Sequence, residues 1–120
     1  MGRAHHNLHA WQEAMELVKE VYQTTSHFPA SESFGLTNQL RRAAISIPGN
    51  IAEGAGGDGT SEFLQFLGIA RGSLREIETQ ILVARDLGYI SDSDSLIVRI
   101  DRLFALIGGL MNSLRKRITK

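Results

Sequence analysis

Phe63, Leu67, Ala70, Leu74, Ile77, Ile81 and Ala84 recur at spacings of 4, 3, 4, 3, 4 and 3 residues. An α-helix completes a turn in 3.6 residues, so this run lays its apolar side chains along one line, whereas a strand would scatter them over both faces. The spacing predicts a helix of about eight turns, stopped by Gly88, whose missing Cβ suits the left-handed residue that closes many helices. A helix of that length with a single apolar stripe must bury it against other elements of the fold.

Three further stretches can supply them. In "NLHAWQEAMELVKEVYQTT" the stripe is Leu8, Trp11, Met15, Val18 and Tyr22, with Asn7 as N-cap and Pro29 ending the pattern. A second helix runs from Gly35 to Glu53 with Leu36, Leu40, Ala43, Ile47 and Ile51 inward; Pro48 lies inside it and is expected to kink it at the carbonyl of Ala44. The fourth stripe is Leu96, Ile100, Leu103, Ile107, Leu110 and Leu114, introduced by Ser91 and Asp94 in capping-box spacing. No stretch alternates with period two. The expected fold is all-α: one antiparallel up-and-down four-helix bundle over residues 1–120, with a proline-kinked second helix and residues 1–6 as a flexible tail.

A 120-residue chain without cysteine has no disulfide framework, thiol nucleophile or cysteine-based zinc site. No apolar run reaches the roughly 18 residues of a membrane span, so a soluble cytoplasmic protein without membrane contact is expected. The formal net charge is zero, which excludes strong chain-wide attraction to a polyanion. The basic excess is local, in the terminal "RKRITK".

"PGNIAEGAGGDGTSEF" places Gly54, Gly56 and Gly59 in the spacing G-x-G-x-x-G. A dinucleotide-binding turn needs a strand before the glycines and a parallel sheet around them. The preceding "LRRAAISIPGNIAE" reads as helix, so these glycines are assigned to turning the chain between two helices, and no cofactor is expected.

"HAWQEAMELVKEVYQTTSHFP", "FGLTNQLRRAAISIPGNIAEG" and "EFLQFLGIARGSLREIETQILVARDLGYI" resemble the bacterial four-helix bundle family that includes proteins encoded in intervening sequences of large-subunit ribosomal RNA genes. The resemblance spans about residues 8 to 114. It implies an up-and-down bundle that associates as a homopentamer. Accessory proteins of diversity-generating retroelements, which are related, bind RNA and a reverse transcriptase, so RNA or a nucleic-acid-handling protein is the implied partner. Where members usually carry a basic residue after "AEG", this chain has Gly57 and Asp58.

Several constellations admit two readings. Glu13, Glu16 and Glu20 share a face and suit either a magnesium site, as in a small metal-dependent hydrolase, or a solvated acidic surface; no matching E-x-x-D follows, which favours the surface. His5 and His9 stand four apart beside His6, enough for weak metal binding but too few ligands for a closed site. Arg42, Asn50, Glu53, Glu76 and Glu78 lie near the apolar seams and are read as a structural polar network rather than a catalytic one.

Gly68, Gly72 and Thr79 fall opposite Leu74, and Ala105, Gly108 and Gly109 fall away from the fourth stripe, beside Ile69 and Leu106. Each interior glycine costs a helix about 1 kcal/mol relative to alanine, so these small residues point to a subunit contact. Arg41, Arg71, Arg75, Arg115, Lys116 and Arg117 are the candidate nucleic-acid contacts. The sequence therefore reads as a non-enzymatic, self-assembling scaffold or nucleic-acid accessory protein, with the hydrolase as alternative.

Overall fold

Four helices, α1 (His9–Thr25), α2 (Leu36–Ala55), α3 (Thr60–Asp86) and α4 (Asp94–Ile118), account for most of the computed structural model, which describes residues 3–118. Met1, Gly2, Thr119 and Lys120 lie outside the described residues. Short 3-10 turns at Ala4–Asn7 and Ala30–Glu32 precede α1 and α2, and the described residues contain no strand. Each helix packs against its neighbours in chain order, and α4 returns to α1. The result is a rod of 50 × 23 × 22 Å.

The core is the sum of four stripes. On α3 Leu67, Ala70, Leu74, Ile77, Ile81 and Ala84 are all fully buried, as their spacing requires, and Phe63 packs against them from the margin. On α2 Leu40, Ala43, Ile47 and Ile51 are buried. The stripe of α1 differs from expectation: Ala10, Ala14, Leu17 and Val21 face the core, while Met15 and Tyr22 are 40% and 38% exposed. Leu8, Trp11 and Val18 flank this seam. Alanines at the centre allow close approach to the partner helices, and the larger side chains seal the edges. On α4 Met111 replaces Leu110 as the buried residue, with Leu110 at the margin.

The helix starts also shift. Asn7 belongs to the first 3-10 turn, and α1 begins after Leu8, with no side chain capping it. Ser91 stands exposed before α4; the Asp92 carboxylate accepts from the Asp94 N–H at 2.9 Å, and the Ser93 carbonyl accepts the Ile97 N–H. Helix α2 extends to Ala55 and passes through Pro48, which is buried, without interruption. Lacking an N–H, Pro48 gives no bond to the carbonyl of Ala44.

Two loops meet at one end of the rod. The Glu32 carboxylate accepts from the Leu36 N–H at 3.1 Å and from the Tyr89 hydroxyl at 2.9 Å, and the Tyr89 ring lies 5.4 Å from that of Phe28. That bond to Glu32, with burial, raises the Tyr89 hydroxyl above its ordinary value. At the same end, the buried Thr25 hydroxyl donates to the Val21 carbonyl and accepts from Arg41 Nε.

Candidate functional site

The glycine corner is a packing device. A Cβ on Gly54 would sit 2.9 Å from Phe63 Cδ1 and from Phe66 Cβ, and 3.3 Å from Phe63 Cα. Only glycine lets α2 come this close to the first turns of α3. Gly59 has φ of 129°, a conformation open to glycine and strained for other residues, and it directly precedes α3. Both glycines are thus explained by turning one helix onto the next.

Between the middles of α2 and α3 lies a cleft of about 400 Å³ lined by Asn38, Gln39, Arg42, Ser46, Ser73, Glu76 and Gln80, with Ala43. Its hydrogen-bonded floor is Ser46 and Ser73, whose hydroxyls stand 2.9 Å apart, with Asn50 donating to the Ser46 carbonyl at 2.8 Å. Of the expected polar network, only Asn50 joins these bonds. Arg42 and Glu76 are exposed at the cleft, Glu53 is exposed near the end of α2, and Glu78 is half-buried. Sequence reasoning missed Ser46 and Ser73, whose signal was a hydroxyl beside each apolar seam.

The acidic face of α1 is not simply solvated. Arg99 Nε lies 2.7 Å from Glu20 Oε1, Arg99 also reaches Glu13 at 3.6 Å, and Arg102 Nε lies 3.4 Å from Glu13. Ser95 donates to the second Glu20 oxygen at 2.8 Å. Glu16 alone faces outward, where a hydrogen bond from Lys19 holds its carboxyl below the ordinary range. Two of the three carboxylates of the magnesium reading, Glu13 and Glu20, are therefore engaged by cations from α4. Among the described residues no group of three or more His, Cys, Asp or Glu is gathered to hold a metal.

Gly68, Gly72 and Gly108 are half-buried, and a Cβ on any of them would meet no atom within 4 Å. Thr79 and Ala105 are exposed. Room for larger side chains is therefore present along this face of the single chain.

The candidate cations divide into distinct roles. Arg41 is committed to the α1–α2 contact: its Nε donates to Thr25 at 2.8 Å, and its guanidinium lies 4.5 Å over the Tyr22 ring. Arg71 is half-buried, with its Nε buried and lacking a hydrogen-bond partner, and Arg75 is exposed. Arg115, Lys116 and Arg117 are exposed in the last turn of α4, with Arg115 donating to Asn112. Cations there complement the negative end of the helix dipole.

The 3-10 turn at the start of the chain packs against α1 and α2. Asn7, Leu8, His9 and Ala10 border a cavity with Leu106 and Leu110 of α4, and Arg3, Ala4 and His5 border another with Ala52, Ala55 and Gly56 of α2. The His6 ring centroid lies 4.4 Å from that of His5 and 5.0 Å from that of Trp11. Of the residues 1–6 expected to form a tail, Ala4, His5 and His6 thus belong to the 3-10 turn Ala4–Asn7, which packs on α1 and α2.

Among the described residues no helix is long and apolar enough to cross a membrane. A comparison with curated proteins found no match. The family model described as 23S rRNA-intervening sequence protein matches residues 6–109, which takes in all of α1, α2 and α3 and most of α4. With nearly the whole bundle matched, the chain belongs to the 23S rRNA-intervening sequence protein family.

Proposed function

We propose that this protein is a non-enzymatic, self-assembling accessory protein of nucleic-acid handling in the cytoplasm, built as an antiparallel bundle bent at Pro48 and associated in a ring of five. The observation that carries the nucleic-acid reading is the exposed run Arg115, Lys116 and Arg117 in one helical turn, on a chain whose family is tied by name to ribosomal RNA. The antiparallel arrangement is supported by pairing order, since Glu20 meets Ser95 and Arg99 while the earlier Glu13 meets Arg99 and Arg102. One such turn on a neutral chain binds polyanions weakly. Five copies on one rim neutralise several phosphates together and raise avidity without new contacts.

RNA binding is tested by fluorescence anisotropy at low and moderate salt, comparing the intact protein with a variant carrying Ala at Arg115, Lys116 and Arg117. The expected outcome is sequence-tolerant binding that weakens with salt and falls at least tenfold in the variant. Equal affinities remove the turn from the site, and absence of binding even at low salt leaves a protein scaffold as the function.

Self-assembly is supported by Gly68, Gly72 and Gly108, which lower helix propensity while a Cβ on any of them would meet nothing in the single chain, and by the small exposed residues Thr79 and Ala105 on the same two helices. Gly72→Glu is expected to yield smaller assemblies by light scattering with helicity retained. An unchanged mass would place the subunit contact elsewhere.

A further inference from the structure

We infer that the 3-10 turn Ala4–Asn7 is a proton-controlled clasp: protonation of His6 detaches it from Trp11 and frees the positive charge of His6, with that of the adjoining Arg3, for a polyanion. Its consequence for RNA rests on the function proposed above; the detachment itself rests on the packing of the turn.

His6 Nδ1 is buried and has no hydrogen-bond partner. A neutral imidazole can leave one ring nitrogen unprotonated against an aromatic surface, whereas an imidazolium carries N–H on both nitrogens and requires an acceptor for each. The groups around the ring do not offer one. His5 belongs to the turn and Arg3 directly precedes it, neither bringing a carboxylate, and Trp11 of α1 presents its ring. Gln12 Nε2 is directed to the His6 carbonyl at 2.8 Å. On α1 His9 is exposed and Glu13 is held by Arg99 and Arg102; on α2 the titratable Glu53 is exposed, and the surface met by the turn is Ala52, Ala55 and Gly56. On α4 the bordering residues are Leu106 and Leu110.

Burial, and then the charges of His5 and Arg3, hold the His6 imidazole below its ordinary value. The docked turn therefore binds its proton less readily than the released one. Docking is complete above the ordinary histidine value of about 6.5 and weakens as pH falls through and below it. The released turn carries the His6 cation close to Arg3, so acidification adds accessible positive charge and strengthens polyanion binding.

Trp11 is the single tryptophan, so its emission reports the clasp directly. On acidification from about pH 7.5 to about pH 5.5, the intact protein is expected to show a red shift as the indole loses its ring neighbours to water, with helix content unchanged by circular dichroism. The shift is expected in His5→Gln and absent from His6→Gln. A quench without a red shift, no response at all, or a shift that survives in His6→Gln would each overturn the clasp. An oligouridylate titration at both pH values forms the second arm, with at least threefold tighter binding expected at the lower pH in the intact protein and no gain in His6→Gln. Oligouridylate binding at neither pH, in a protein that shows the shift, overturns the RNA reading and leaves the clasp standing.

Discussion

Gly54→Val is expected to destabilise the fold by about 3 kcal/mol and lower its melting temperature by roughly 10 °C. The first atom of any side chain at this site lands 2.9 Å from Phe66 Cβ and 3.3 Å from Phe63 Cα. Those atoms are fixed to the α3 backbone, so rotation of a flexible side chain cannot clear the overlap. The helices must separate, and that opens the seam on both sides of the contact. Gly49→Ala supplies the control on the same helix. It meets nothing within 4 Å and is exposed, so it is expected to stabilise by up to about 1 kcal/mol through helix propensity alone. Denaturant unfolding of the two variants, giving shifts of opposite sign, checks the assignment; equal shifts would refute it.

Leu17→Ala is expected to cost about 2–5 kcal/mol, the range for emptying a fully enclosed leucine site. Met15→Ala, two residues away and 40% exposed, is expected to cost less than about 0.5 kcal/mol. The pair discriminates between two stripes that the sequence offers with nearly the same rhythm. Urea unfolding with both variants settles which one faces the core, and a larger loss at Met15 would restore the stripe through Met15 and Tyr22.

That ambiguity shows where the chain could be read and where it could not. On α3 the strict spacing of 4 and 3 from Leu67 to Ala84 marks the one line that is fully buried, whereas apolar residues off that line, such as Ile69 and Val83, are 48% and 43% exposed. On α1 two neighbouring lines compete, one of alanines with Leu17 and Val21, the other with Trp11, Met15 and Tyr22. Side-chain size favours the second line, but close approach between helices favours the first, and separation between helices is a property of the partners. The same limit hid the role of Glu13 and Glu20. Their spacing along α1 was visible, yet Arg99 lies some eighty positions downstream, and nothing local connects them. The glycine corner was legible as a turn, whereas the contact of Gly54 with Phe63 and Phe66 required both helices in place. Ser46 and Ser73 likewise acquire meaning only when α2 lies on α3.

The α1–α4 charge network has a consequence for alignment. Apolar residues recur at almost every turn along both helices, as alanine, leucine and valine on α1 and mostly as leucine and isoleucine on α4, so an apolar seam by itself is nearly indifferent to a slide of one turn. The charges are not periodic in that way. Advancing α4 by three or four residues would bring Arg102 to Glu20 and the neighbourhood of Leu106 to Glu13, leaving a shaded carboxylate against hydrocarbon, an arrangement disfavoured by desolvation. Glu13, Glu20, Ser95, Arg99 and Arg102 therefore act like the wards of a lock, admitting one axial position among several that oil-like cohesion would accept.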